Sequence, residues 1–149
     1  MDRKQAFLRV IAYSEGTDWP HQATKNKGYD VIVGGSLFSD YSKHPGVYVK
    51  LPKLGITSSA AGRYQILEKW AIAYMRQLRL PDFGPESQDR IAWQLIGECG
   101  AQADVLAGRF EQAIVKCKSR WASLPGAGYG QHEHKMETLR GVYDKALAA

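Results

Sequence analysis

Two cysteines, Cys99 and Cys117, are all that 149 residues contain, and they form no CxxC pair. So few rule out a disulfide framework or a thiol-based metal motif. Each lies in a helical pattern and reads as a buried free thiol, though a disulfide between the two stays open. No run of about 18 apolar residues is present, so no membrane-spanning helix is expected. The opening stretch MDRKQAFLRVIAYSEG is basic at its start, but its apolar part is short, broken by Arg9 and closed by Glu15. It lacks the h-region and cleavage site of a secretory signal, so the expectation is synthesis in the cytoplasm and outside help to leave it. There is no internal repeat, linker or low-complexity segment. No GxSxG signature occurs, and neither cysteine stands beside a histidine. The glycine-rich run Gly126 to Gly130 follows no strand and precedes no Lys-Ser/Thr, which argues against a phosphate cradle. His132 and His134 would point to different faces of a helix, with no third ligand near them. They read as surface residues, and neither a metal nor a cofactor is expected.

What remains is ordinary globular composition, 44% hydrophobic and 23% charged, in a length that suits a single domain over 1–149 with a real core. Twenty Lys and Arg against fifteen Asp and Glu leave a net charge of +5, with an isoelectric point near 9.2. That implies attraction to a polyanion, either nucleic acid or a bacterial cell surface. The basic residues are scattered along the chain, which fits a solvated surface better than a dedicated groove.

Hydrophobic spacing supplies the elements. Ala6 to Thr17 reads as a helix with Phe7, Leu8, Ile11 and Ala12 inward, stopped by Gly16. Val31 to Val33 and Leu37-Phe38 flank Gly34-Gly35 as a hairpin. Lys43 to Ser59, broken by Pro45, Gly46, Pro52 and Gly55, reads as a long surface excursion with a short strand at Val47 to Leu51. Ala60 to Leu80 reads as one helix, capped by Thr57, Ser58 or Ser59, with Ile66, Trp70, Ala73, Tyr74 and Leu78 inward. Further helices are expected from about Pro85 to Cys99, Gln102 to Ala107, Phe110 to Lys118 and Gln131 to Ala148. Ser123 to Gly130 is loop. Helix, small β-region, then helices make an α+β fold, mostly helical, with the β-part in the N-terminal third.

Glu15 stands out among the carboxylates. It lies four residues after Ile11 and eight after Phe7, on the apolar face of the last helical turn. Poor solvation and the negative end of the helix dipole both push its pKa upward. A carboxyl group holding its proton near neutral pH suits general-acid chemistry. The alternative is a Glu that ends the helix and turns to water. Asp30 either faces a cleft with Glu15, as the second carboxylate of glycosidic-bond cleavage, or caps a turn. Tyr13, Trp19, Tyr29, Tyr41, Tyr48, Tyr64 and Tyr129 lie near the loops, where flat rings would stack on sugars, whereas Trp70 and Trp93 read as core.

The segments FLRVIAYSEGT, KNKGYDVIVGG, LFSDYSKHP, AAGRYQI, LPDFGPESQD and WASLPGAGYGQHEHK, from Phe7 to Lys135, resemble the lambda-type bacteriophage endolysins with the lysozyme-like fold. The resemblance implies a lytic transglycosylase that cuts the bond between N-acetylmuramic acid and N-acetylglucosamine in peptidoglycan without water, leaving a 1,6-anhydro end. It implies Glu15 of the SEGT motif as acid and then base, and Asp30, Tyr64, Gln65 and Tyr129 as substrate-binding residues. The segments 43–56 and 125–135 correspond to two lips over the glycan. The implied partner is the glycan strand, with no nucleic acid, no stable membrane insertion and a monomeric enzyme. It would wait in the host cytoplasm until a holin releases it to the cell wall. Alternatives are a muramidase hydrolysing the same bond with Asp30 assisting water, a wall-binding domain without catalysis, and a basic nucleic-acid-binding domain.

Overall fold

A computed structural model describes residues 1–128 and 133–149. Among these residues the fold is α+β and mostly helical, as expected. The elements are α1 (Arg3–Ser14), β1 (Val49–Leu51), β2 (Ile56–Ser58), α2 (Glu68–Gln77), α3 (Pro85–Glu98), α4 (Gln102–Ala107), α5 (Phe110–Cys117) and α6 (Met136–Ala148). The chain divides into two compact units, one of residues 1–15 and 92–149, the other of residues 16–91. The boundary falls inside α3.

The first unit is built around α1. Asp2 caps this helix by accepting from the Gln5 backbone N–H at 2.8 Å, while the Gln5 side chain accepts from the Asp2 N–H at 3.1 Å. This reciprocal box satisfies two of the donors that a helix start leaves open. Every residue expected on the inner face of α1 is buried, along with Ala6 and Val10. The helix packs on α6 and α4, and its Phe7 ring lies 6.0 Å from that of Phe110, itself 4.5 Å from Tyr143. Cys99 is half-buried and Cys117 buried, both free. Burial and the neighbouring Cys99 thiol hold the Cys117 thiol protonated.

The second unit has little regular structure. β1 and β2 form a two-stranded antiparallel hairpin in the register Val49–Ser58, Lys50–Thr57, Leu51–Ile56. Side chains tie the rest together. Gln88, 1% exposed, donates to the carbonyls of Tyr29 at 3.1 Å and Phe83 at 2.8 Å and accepts from the Arg63 N–H at 2.9 Å. One amide thus holds three separate backbone stretches. Arg63 donates to Asp18 at 3.0 Å and lies over the Tyr29 ring. Both Tyr29 and Tyr64 donate to Oδ1 of Asp89, at 2.8 and 2.5 Å.

Several expectations are corrected here. The helix expected from Ala60 begins only at Glu68, because Gly62 (φ +83°) and Gln65 (φ +55°) adopt left-handed backbone that no right-handed helix contains. Ala61 instead bridges to Ile32 and Ile66. On the shorter helix the inner face is Ala71 and Tyr74, and Trp70 is 45% exposed. The Gly34-Gly35 turn is present, with Ser36 O accepting from Ile32 N–H at 2.7 Å, but the hairpin around it is a single bridge, Val31 to Leu37. The residues from Ile56 to Ser58, expected as irregular chain and caps, form the second strand. At the other end α6 starts at Met136 rather than Gln131.

Candidate active site

Glu15 is the residue at which α1 stops. Its backbone N–H still bonds to Ile11 O at 2.9 Å, its φ and ψ are −78° and −4°, and Gly16 then turns left-handed at φ +76°. The apolar stripe of the helix carries through to this position, so the side chain leaves the helix on the buried face and is itself half-buried. Burial raises its carboxyl pKa to about 7 against the opposing hydrogen bond from Ser123. The group therefore divides between acid and base near neutral pH, the condition for one carboxyl to serve in both roles.

Ser123 comes from the loop after α5, and its placement is determined locally. Leu124 beside it is fully buried. The carbonyl of Ser123 accepts from His134 N–H at 3.0 Å, closing the loop at its base. Glu133 clamps the glycines by accepting from Gly126 N–H at 2.9 Å and Gly128 N–H at 2.8 Å, contacts that hold its carboxyl below the usual range. The His134 ring packs 5.4 Å from that of Tyr13 on α1. The Ser123 hydroxyl, held this way, donates to Glu15 Oε2 at 2.5 Å and lies 2.7 Å from the Ser14 hydroxyl.

Within the second unit Asp30 is 4% exposed. Its Oδ1 accepts from the Thr24 hydroxyl at 2.5 Å and its Oδ2 from Lys25 N–H at 3.0 Å. Thr24 Oγ1 in turn accepts from Asn26 and Gly28 N–H at 3.2 and 2.8 Å. This is the geometry of a carboxylate that fixes a turn. Tyr64, expected to line a sugar groove, is 1% exposed with its phenol bonded to Asp89, which makes it a core residue. Gln65 is half-buried, and its amide donates to Val31 O at 3.2 Å and Gly62 O at 2.9 Å. Tyr129 lies outside the described residues. Among the described residues no three His, Cys, Asp or Glu side chains gather as metal ligands would, and no helix is long and apolar enough to cross a membrane.

Ser14 and Ser123 escaped the residue-by-residue reading. They lie 109 positions apart, and no local periodicity links a helix end to a distant loop. Both lie within segments on which the family resemblance rests, SEGT and WASLPGAGYG, and that is the one signal that marked them.

The family model for endolysins matches residues 5–149. The chain belongs to the endolysin family. It is 53% identical to the endolysin of Escherichia phage lambda over 146 residues, 97% of this chain and 91% of that protein. With the endolysin of Escherichia phage P2 it shares 52% identity over 150 residues, covering 95% and 90% of the two. A solved structure of bacteriophage lambda lysozyme in complex with a chitohexasaccharide superposes with a TM-score of 0.94 at 52% identity, covering 98% of this chain and 94% of the other. A second lambda lysozyme structure gives 0.89 at 51% identity. The fold of this endolysin is therefore lysozyme-like, and within that fold its α1 ends in a carboxyl group balanced between two protonation states.

Proposed function

We propose that this endolysin is a peptidoglycan lytic transglycosylase in which Glu15 is the acid and then the base, the whole chain acting as one catalytic domain and as a monomer. The observation that carries the reading is Glu15 itself, a carboxyl at a buried helix end with its pKa lifted to about 7. In the first step the protonated carboxyl gives its proton to the glycosidic oxygen between N-acetylmuramic acid and N-acetylglucosamine as the C1–O bond breaks. In the second, the muramic acid 6-hydroxyl oxygen bonds to C1 and its proton passes to the Glu15 carboxylate. The enzyme returns to its starting state, and the product is a 1,6-anhydro ring. One cycling carboxyl completes this sequence, and no second group is needed to activate water.

The bonds of Asp30 favour this over hydrolysis, since both of its oxygens are engaged in the turn at residues 24–30. Asp30 then serves the substrate through the turn it fixes, and Tyr64 through the core, while Gln65 and Tyr129 remain the sugar contacts. The complex of a 52% identical relative with a chitohexasaccharide supports a glycan strand as ligand. Exposed Tyr48 and Ile56, 62% and 49% accessible, suit the hairpin to the part of a lip over that strand. From residue 43 to 79 six exposed Lys and Arg stand against one acidic residue, Glu68. That positive balance favours capture of an anionic wall. Holin-dependent release from the host cytoplasm completes the reading.

Mass spectrometry of muropeptides released from purified peptidoglycan tests it. Muramic ends one water lighter than the reducing sugar are expected. Reducing ends would establish a muramidase and return Asp30 to the position of second carboxylate. No release at all would leave a wall-binding domain.

A further inference from the structure

Two buried hydroxyls stand behind the Glu15 carboxyl, and their hydrogens can be assigned by counting donors. Ser14 is 4% exposed and Ser123 9%. Their oxygens are 2.7 Å apart, a contact that requires one of them to donate. Ser123 Oγ also lies 2.5 Å from Glu15 Oε2. An ionised carboxylate accepts only, and a serine hydroxyl has a single hydrogen. With Glu15 ionised, the Ser123 hydrogen is therefore committed to Oε2, and the hydrogen between the serines must come from Ser14. Both O–H bonds then run the same way, from Ser14 to Ser123 to the carboxylate, and each polarises the next.

We propose that Ser14 and Ser123 are positioning residues that keep Oε2 of Glu15 as a fixed acceptor and so assign the transferable proton to Oε1. The proposal rests on the reading of Glu15 as acid and base. A proton on Oε2 would force Ser123 to accept from the carboxyl and turn its own hydrogen toward Ser14, reversing the whole chain inside a buried site. A proton on Oε1 leaves both hydroxyls where they are. Through the catalytic cycle Oε1 alone loses a proton to the leaving oxygen and regains one from the 6-hydroxyl. Neither serine gives up its proton. Each of them stabilises the charge that appears on the carboxylate between the two steps.

The test measures the carboxyl directly and activity separately. Carbon-13 NMR titration of Glu15 in wild type, Ser123→Ala, Ser14→Ala, Ser123→Thr and the Ser14→Ala/Ser123→Ala double variant is set beside the pH profile of peptidoglycan cleavage. Removing the donor to Oε2 is expected to raise the Glu15 midpoint by about one pH unit and to move the alkaline limb of the activity profile with it. Ser14→Ala is expected to give a smaller shift in the same direction, and Ser123→Thr, which keeps the hydroxyl, to restore both. The double variant removes both buried partners together, and so reads the same shift without leaving one hydroxyl stranded. An unchanged or lowered midpoint in Ser123→Ala and the double variant overturns the proposal. A shift with Ser123→Ala but none with Ser14→Ala overturns the part given to Ser14. A midpoint that moves while the activity profile stays put overturns the reading of Glu15 itself, and the assignment of its proton with it.

Discussion

Glu15 and Asp30 are both largely removed from water, yet their surroundings differ in kind. Asp30 sits in a turn that supplies a donor to each of its oxygens, Thr24 to one and Lys25 to the other. Glu15 sits where a helix ends, with burial dominating one hydroxyl bond, and its pKa rises to about 7. Among the described residues, two donors reach the Asp30 carboxylate and one reaches Glu15. Burial alone does not separate them, because it is common to both.

The largest expected effect comes from removing the exchangeable proton. Glu15→Gln should lower the rate of peptidoglycan cleavage by about 10³-fold or more. The same variant should be more stable than wild type above neutral pH. A folded pKa of about 7 against the unfolded 4.5 means that the protonated form is favoured by folding. Its contribution is full below pH 4.5 and lost as pH rises through 7, so an ionised Glu15 costs on the order of 3 kcal/mol at pH 8. Calorimetry at pH 5 and pH 8 should therefore show a much larger advantage of Glu15→Gln at pH 8 than at pH 5. An equal Tm difference at both pH values would refute the raised pKa.

The reverse pattern is expected for Asp30. Asp30→Ala strands the Thr24 hydroxyl and the Lys25 N–H, and should cost about 2–3 kcal/mol of stability, or roughly 5–10 °C in Tm. The folded fraction should keep activity within about tenfold of wild type. A loss of about 10³-fold in Asp30→Asn at an unchanged Tm would erase the contrast and make Asp30 a catalytic partner.

A smaller effect sharpens the comparison from the second unit. His44 is 3% exposed, its Nε2–H donating to Ile66 O at 2.8 Å and its Nδ1 accepting from Gly46 N–H at 3.0 Å. Burial lowers its pKa, against smaller raising effects of the Ile66 bond and Glu68. Folding thus favours neutral His44, a contribution present above the unfolded value of about 6.5 and lost as pH falls below it. This loss opposes the gain from protonating Glu15 over the same range, so Tm should rise more between pH 7 and 5 in His44→Gln than in wild type. An equal rise in the two proteins would overturn that contribution of His44.

Much of the first unit was legible from spacing. α4 and α5 begin where expected, and the stripe of α1 named its buried residues, because apolar periodicity and Gly or Pro punctuation agree there. The partial burial of Glu15 was legible for the same reason, since it lies on that stripe. Between Ala60 and Ile66 the apolar residues keep a helical rhythm, but the backbone needs left-handed turns at Gly62 and Gln65, and tertiary bonds overrule the rhythm. β2 left little trace because Ile56 and Thr57 are exposed, so no alternation of buried and open residues marks the strand. Ser123 left no trace in local spacing because its importance lies in a contact across the sequence, which no window can contain.

Gln88 shows what the second unit relies on. Where a sheet would join three stretches of chain by repeated backbone pairs, here one buried amide joins them at Tyr29, Arg63 and Phe83. A ladder can lose a rung and keep its neighbours; without Gln88 the load passes to the Asp89 bonds of Tyr29 and Tyr64 and to the Gly62–Val31 backbone bond. Tolerance to substitution in this half of the molecule is therefore set at polar positions. A random mutational library should be depleted at Gln88 as severely as at the apolar core, and Glu, which offers acceptors where the site needs donors, should be excluded there along with Leu.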